Sequence, residues 1–291
     1  MKPGSKNIYT TLIVTLLSLG ILLIIFPGCE EDLPSEPDPD RGVALMNIAF
    51  LYRTQFELSK LNQIRISLLT SANTLSDFDL NSGDAESQLQ SIYETTTDYL
   101  EYAGLMDETG KVLAAYPAKY DSLLTEMENN YIPWVKFAMD SLRPSIGEVE
   151  QNEAGMGNFD YIFPVIKDSS LKGMVWASVS FDTLTRRILV YTAPNSTEDI
   201  LIFLLEEDGR IIYDHNENTF GVVYNDIAVF DSNNVALANK MLEAESGHSK
   251  YFASHSPGAE IDGEERLIGW TRIYLEQTYW IIAVTEPVLV E

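Results

Sequence analysis

One cysteine, Cys29, occurs in the 291 residues. No internal disulfide can therefore close, and no set of thiolates can hold a metal. Histidine is nearly as scarce, at three residues. His215, His248 and His255 show no H-E-x-x-H spacing. No G-x-S-x-G elbow offers a serine nucleophile. Gly155-Met156-Gly157 lacks the third glycine and the following helix of a phosphate cradle. Basic residues are few, 19 against 44 acidic ones, a net charge of -25. Phosphates would be repelled, which excludes nucleic acid as a partner. In so acidic a chain two neighbouring carboxylates arise by chance, so no catalytic pair stands out. A hydrolase would need a clustered nucleophile and base that the sequence does not display. No enzyme, metal or cofactor is expected.

What is present is a globular composition, 45% hydrophobic, with a mean hydropathy of -0.05. Lys2 and Lys6 precede an apolar run from Leu12 to Phe26, and Gly28 precedes Cys29. That is the layout of a secretory signal. It resembles a lipoprotein signal, with Cys29 lipidated as the new N-terminus, although Phe26 and Pro27 depart from the usual pattern. An uncleaved anchor is the other reading, because Tyr9–Phe26 is about long enough to span a bilayer. Either way the body is expected outside the cytoplasm. Residues 30–42, acidic and proline-rich, read as a solvated tether.

From Val43 to Ser82 no proline or glycine interrupts the chain. Leu58, Leu61, Ile64, Leu68, Ala72 and Leu75 fall at helical steps, which predicts a spine helix over 43–82. A helix of about 30 residues reaches roughly 45 Å, enough to run along two lobes. Phe50, Leu51, Tyr52 and Phe56 give its start more apolar surface than one inward stripe needs, so a weak homodimer along it is expected. A second amphipathic run over Ala85–Leu100 follows the capping residues of Asn81–Asp84.

An internal repeat comes next. Tyr102–Pro117 matches Leu201–Asn216: apolar strand, acidic turn, glycine (Gly110, Gly209), basic residue (Lys111, Arg210), apolar strand. The glycines supply the positive φ of a hairpin turn. Each hairpin is followed by a helical region and antiparallel strands. In the first copy these strands are Tyr161–Lys167, where Pro164 argues for an edge or bulged position, and Gly173–Phe181. Along the latter, Met174, Trp176, Ser178 and Ser180 share one face, while Val175, Ala177, Val179 and Phe181 share the core side. The first face suits a wall gripping a small molecule, and equally an ordinary half-buried sheet. The fold class read from the residues is α+β, a long N-terminal helix and two modules with antiparallel sheets, over 83–190 and 191–291.

The long helix, the D-x-x-G-K hairpin, the strand pair ending in Phe181-Asp182-Thr183-Leu184 and the segment EDGRIIYDHNENTFG together resemble double Cache (dCache) sensor domains. The resemblance runs from about Val43 to Pro287. It implies two PAS-like modules, an extracytoplasmic ligand-binding role and a ligand in the first, membrane-distal module. Such domains usually continue into an output domain. This chain stops at Glu291, so action through a separate signalling or transport partner is expected. An exterior structural or interaction lipoprotein without a working pocket is the alternative.

In amino-acid-binding members, a helix motif R-x-W-Y-x-x-A supplies an arginine for the ligand carboxylate. A strand motif G-V-x-x-x-D supplies an aspartate for its ammonium. Here Trp134 and Ala138 fit the first motif, but its arginine falls on Ile132 and its tyrosine on Val135. Gly173 fits the second, but its aspartate falls on Ser178. The resemblance thus implies a site of Tyr131, Trp134, Phe159, Tyr161, Trp176 and Ser178 with one acid, Asp160. Its ligand is a small uncharged or singly charged organic molecule, with common α-amino acids rejected.

Overall fold

A computed structural model describes residues 39–58, 60–120, 132–151, 157–192, 200–214, 220–226, 229–253 and 264–288. Cys29, Tyr131, His215 and His255 lie outside them. The described residues open with helices α1 (Pro39–Leu58) and α2 (Lys60–Leu75). Leu45, Ala49, Tyr52 and Phe56 in α1 and Leu61, Ile64, Leu68, Ala72 and Leu75 in α2 form their buried stripe, at three- and four-residue steps within each helix. The helix ends at Leu75, short of the expected Ser82. Past Leu75 the polar side chains find local partners instead. The Ser76 hydroxyl donates to Asn73 O, and Asn81 N–H donates to the Asp79 carboxylate. Such bonds compete with helix continuation. Ser82 then caps α3 (Gly83–Thr96), its hydroxyl accepting from Ala85 N–H at 3.3 Å. Tyr52 and Phe56 are fully buried, so of the four residues expected to offer surplus apolar surface, Leu51 is the one left exposed.

Two antiparallel sheets follow. The first comprises β1 (Leu100–Asp107), β2 (Val112–Tyr116), β3 (Ser145–Ile146), β4 (Glu150–Gln151), β5 (Gly157–Lys167) and β6 (Ser170–Ser180). Its order is β2-β1-β6-β5-β3, with β4 also on β5. The second comprises β7 (Leu201–Glu206), β8 (Ile211–Asp214), β9 (Ser246–Ala253), β10 (Glu264–Tyr274) and β11 (Tyr279–Pro287), in the order β8-β7-β11-β10-β9. Helices α4 (Pro133–Ser141), α5 (Phe181–Thr192) and α6 (Ser232–Glu243) are the other helices among the described residues. Pro164 sits on β5 beyond the residues that β3 pairs, just before a bulge at Val165/Ile166. There its missing N–H costs no ladder bond.

The spine serves both sheets. Helix α1 packs on β9, β10 and β11, and α2 on β5 and β6. Contact with α1 is backbone-close, since a β-carbon on Gly269 would overlap Leu45 and Met46. The inner faces of both sheets and the spine share one core, pinned by Phe159, Phe181 and Trp280, whose ring centroids lie 5.2–6.4 Å apart. Val175, Ala177, Val179 and Phe181 lie in it, the side read from their alternation. The outer face of each sheet builds a smaller core, with Val135 and Ala138 of α4 in one and Leu237, Ala238 and Met241 of α6 in the other.

Candidate ligand cavity in the first module

The outer face of the first sheet carries a polar row. Tyr102 on β1 pairs Ser178 on β6, which pairs Asp160 on β5. Ser178 stands beside both across the two strand pairs, where its hydroxyl favours the charged form of each. This row floors a cavity of about 200 Å³ between the sheet, α4 and the segment leading to β5. Trp134 walls one side, and Glu101, Glu148, Glu150, Gln151 and Asn158 complete the lining. No lysine, arginine or histidine lines it among the described residues. The sequence agrees, with no basic residue between Tyr120 and Lys136 or between Arg143 and Lys167. Lys136 itself is exposed and pairs with Asp140 at 2.9 Å, one turn along α4.

Burial, helped by the Glu150 charge, pushes the Asp160 carboxyl up to about 7. Burial likewise raises the Tyr102 phenol, with Asp160 adding to it. Trp134 Nε1 and Asn158 Oδ1 are buried without a hydrogen-bond partner among the described residues. The described lining therefore combines the neutral polar side chains of Tyr102, Gln151, Asn158 and Ser178 with the carboxylates of Glu101, Glu148, Glu150 and Asp160. No described group of His, Cys, Asp and Glu residues could hold a metal ion.

Of the residues anticipated from sequence, Trp134, Asp160 and Ser178 meet in this cavity. Phe159 borders it between Asn158 and Asp160, but its ring packs against Trp280 and Phe181 on the opposite face. Tyr161 does not belong to it. Strand alternation turns Tyr161 toward the spine, where its hydroxyl donates to Glu276 at 2.6 Å. Trp176 does not line it either. It fills the core beneath α4 with Met174 and Ile162, its indole lying over Gly104, where a β-carbon would overlap the ring.

Beside this cavity lies a second one of about 290 Å³, at the junction of the modules, lined in part by Trp134, Phe137 and Glu148. Two turns of the second module reach it. From the β7–β8 turn, Glu206 accepts Val149 N–H at 2.8 Å. Arg210 pairs with Glu206, with Glu148 at 3.1 Å and with Val149 O at 3.1 Å. Burial pushes the Glu206 carboxyl up to about 7, while Val149 N–H and Arg210 pull the other way. From the β10–β11 turn, the Gln277 amide both accepts from Ile146 N–H, at 2.9 Å, and donates to Ile146 O. Its neighbour Glu276 binds Arg65 of α2 and Tyr161 of β5, each at 2.6 Å.

Comparison with solved structures decides the fold. An extracellular ligand-binding receptor from Desulfohalobium retbaense matches with a TM-score of 0.68 and 20% identity, over 84% of this chain and 40% of that one. The fold is that of double Cache sensor domains. The ligand-binding domain of the Pseudomonas aeruginosa amino-acid chemoreceptor PctC, solved with GABA, matches at 0.63 and 17% identity, over 85% of this chain and all of that one. The periplasmic sensory domain of a Campylobacter jejuni chemoreceptor matches at 0.64 and 14%, over 85% of this chain and 95% of that one. The chain thus spans 40% of the Desulfohalobium receptor. No family model and no curated protein matches. Within this double Cache fold the two modules differ where it matters. The row Tyr102–Ser178–Asp160 corresponds in the second module to Leu201–Thr285–Ile268, which carries no acid.

Proposed function

We propose that this chain is an extracytoplasmic ligand-binding sensor domain whose first module takes a small organic cation, an amine without a carboxylate. The observation that carries this reading is the polar row. The position where the resemblance places an ammonium-binding aspartate holds Ser178, and Asp160 stands directly across the strand pair from it. An acid for the ammonium is thus available from the neighbouring strand, whereas nothing basic among the described lining residues could meet a carboxylate. A zwitterion would leave its carboxylate buried without a partner, at a cost of about 3–5 kcal/mol. That is about two to three decades in affinity. The double Cache fold supports the sensor reading, as does the binding of small molecules by proteins of similar structure.

Titration calorimetry with ethanolamine, methylamine, ethylene glycol and the twenty α-amino acids tests the reading. The two amines bind, ethylene glycol and the amino acids do not, and Asp160→Asn abolishes the amine signal. Glycine binding as tightly as ethanolamine would overturn it. One observation favours the alternative of an exterior interaction lipoprotein: Met174 and Trp176, on the cavity's face of the sheet, are consumed by the core. Absence of thermal stabilisation by any of these compounds would support that alternative.

The same proposal places the body outside the cytoplasm, anchored through lipid on Cys29 and acting through a separate membrane partner. Cys29→Ser is expected to abolish fatty-acid labelling. A weak homodimer along the spine remains part of the proposal, now resting on exposed Val43, Leu51, Ile66 and Leu69. Sedimentation at high concentration checks it.

A further inference from the structure

Glu148 belongs to two neighbourhoods at once. It lines the first-module cavity and the junction cavity, and its carboxylate already has a cation, Arg210, at 3.1 Å. Arg210 comes from the β7–β8 turn of the other module and is held by two further partners, Glu206 and Val149 O. The guanidinium therefore keeps its place when Glu148 lets go. A cation entering the cavity meets Glu148 beside Asp160 and Glu150. One carboxylate then faces two cations, and each weakens the other's hold on it.

We propose that Arg210 is a positioning residue that sets the cation affinity of the first-module cavity and senses its occupancy, by competing with the ligand for Glu148. This rests on the cation reading above. The coupling is reciprocal: whatever factor Arg210 takes from ligand affinity, a bound ligand takes from the Arg210–Glu148 contact between the modules. Since the Glu148 side chain is 62% exposed, the factor is modest. An exposed ion pair of this kind corresponds to about a two- to fivefold change in affinity.

The test is a double-mutant cycle on the full chain in detergent, with ethanolamine as the calorimetric probe. Arg210→Gln, which retains hydrogen bonding to Glu206, is expected to bind ethanolamine about two- to fivefold tighter. Glu148→Gln is expected to bind it more weakly. In the Glu148→Gln background, Arg210→Gln should change nothing, an outcome that a merely structural role for Arg210 would not produce. Where Arg210→Gln fails to fold, Arg210→Lys completes the cycle, with a smaller gain that Glu148→Gln again erases. An unchanged or weakened affinity in the arginine variant, or a gain that survives in the Glu148→Gln background, overturns the inference while leaving the cation reading intact. A wild-type chain that binds neither ethanolamine nor methylamine overturns both.

Discussion

At one matching position the hairpins of the two modules carry Asp107 and Glu206, which differ by a methylene, and the carboxylate goes to a different partner in each. Both turns bulge at the same place, both reach positive φ at glycine (85° at Gly110, 88° at Gly209), and both close with the same backbone bonds. In the first hairpin Asp107 turns inward on its own loop, accepting from Thr109 N–H, the Thr109 hydroxyl and Lys111 N–H. Desolvation raises its pKa, but these bonds outweigh that and hold it below the usual carboxylate range. In the second hairpin Glu206 occupies the matching position, and Asp208 takes over the turn through Arg210 N–H. The longer side chain is thereby freed to reach Val149 in the other module. Repeated units diverge in this way without changing fold: the loop stays closed and one residue changes address.

The largest effect should come from breaking the second hairpin's reach. Glu206→Ala leaves the buried Val149 N–H without its acceptor and takes one of the partners of Arg210, which keeps Glu148 and Val149 O. It should cost about 3 kcal/mol, the upper end for an orphaned buried donor. Urea denaturation measures it. A loss under 1 kcal/mol would mean that the junction contributes little. Next comes the contrast between the outer faces, Asp160 against Ile268. Folding lifts the Asp160 carboxyl to about 7, above its ordinary value near 4. The folded chain therefore holds a proton that the unfolded chain releases, so this group's contribution is full below about pH 4 and is lost as pH rises through about 7. Asp160→Asn removes the loss. It should stabilise the ligand-free protein at pH 8 by on the order of 1–3 kcal/mol, change it little at pH 4, and abolish amine binding. Paired unfolding curves at the two pH values decide this.

A smaller effect probes a device that the two sheets share. Trp176 lies over Gly104 and Trp270 over Gly247, each on the neighbouring strand. Gly104→Ala should destabilise by about 1–3 kcal/mol through overpacking. Gly247→Ala should cost the lower end of that range, because β9 is an edge strand and can shift. Calorimetric melting of both variants tests the order. Asp107→Ala is the smallest, about 1 kcal/mol for lost turn bonds. It should leave amine affinity unaltered, in contrast to the effect expected at Arg210.

The sequence showed the fold where periodicity is local. The helical stripe through Leu61, Ile64 and Leu68, the glycine hairpins 99 residues apart and the inward side of β6 could all be read from neighbouring residues. It did not show where the spine ends, because the bonds at Ser76 and Asp79 are choices among competing local partners. The cavity was legible only in part. Trp134 and Ser178 came from motif positions and Asp160 was named as the one acid beside them, but Tyr102 joins them through the β1–β6 register, which no local pattern sets. Its outward side could have been found by counting back from the Gly110 turn. Trp176 and Tyr161 misled because an aromatic residue on a strand looks the same whether it faces a ligand or a helix. The orientation of Tyr161 was recoverable, since it must oppose that of Asp160.

Arg41 pairs with Glu286 at 2.6 Å, and α1 packs on the last two strands. The second module is therefore assembled from both ends of the described chain, with the first module threaded between its parts as an insertion. That arrangement governs the order of folding. During synthesis α1 emerges well before its docking surface on β9–β11, so it must wait with Leu45 and Tyr52 unburied. The intervening module can collapse meanwhile on α2, and by doing so it shortens the loop that must close before α1 finds its sheet. Early stability in the inserted module is thus a condition for completing its host.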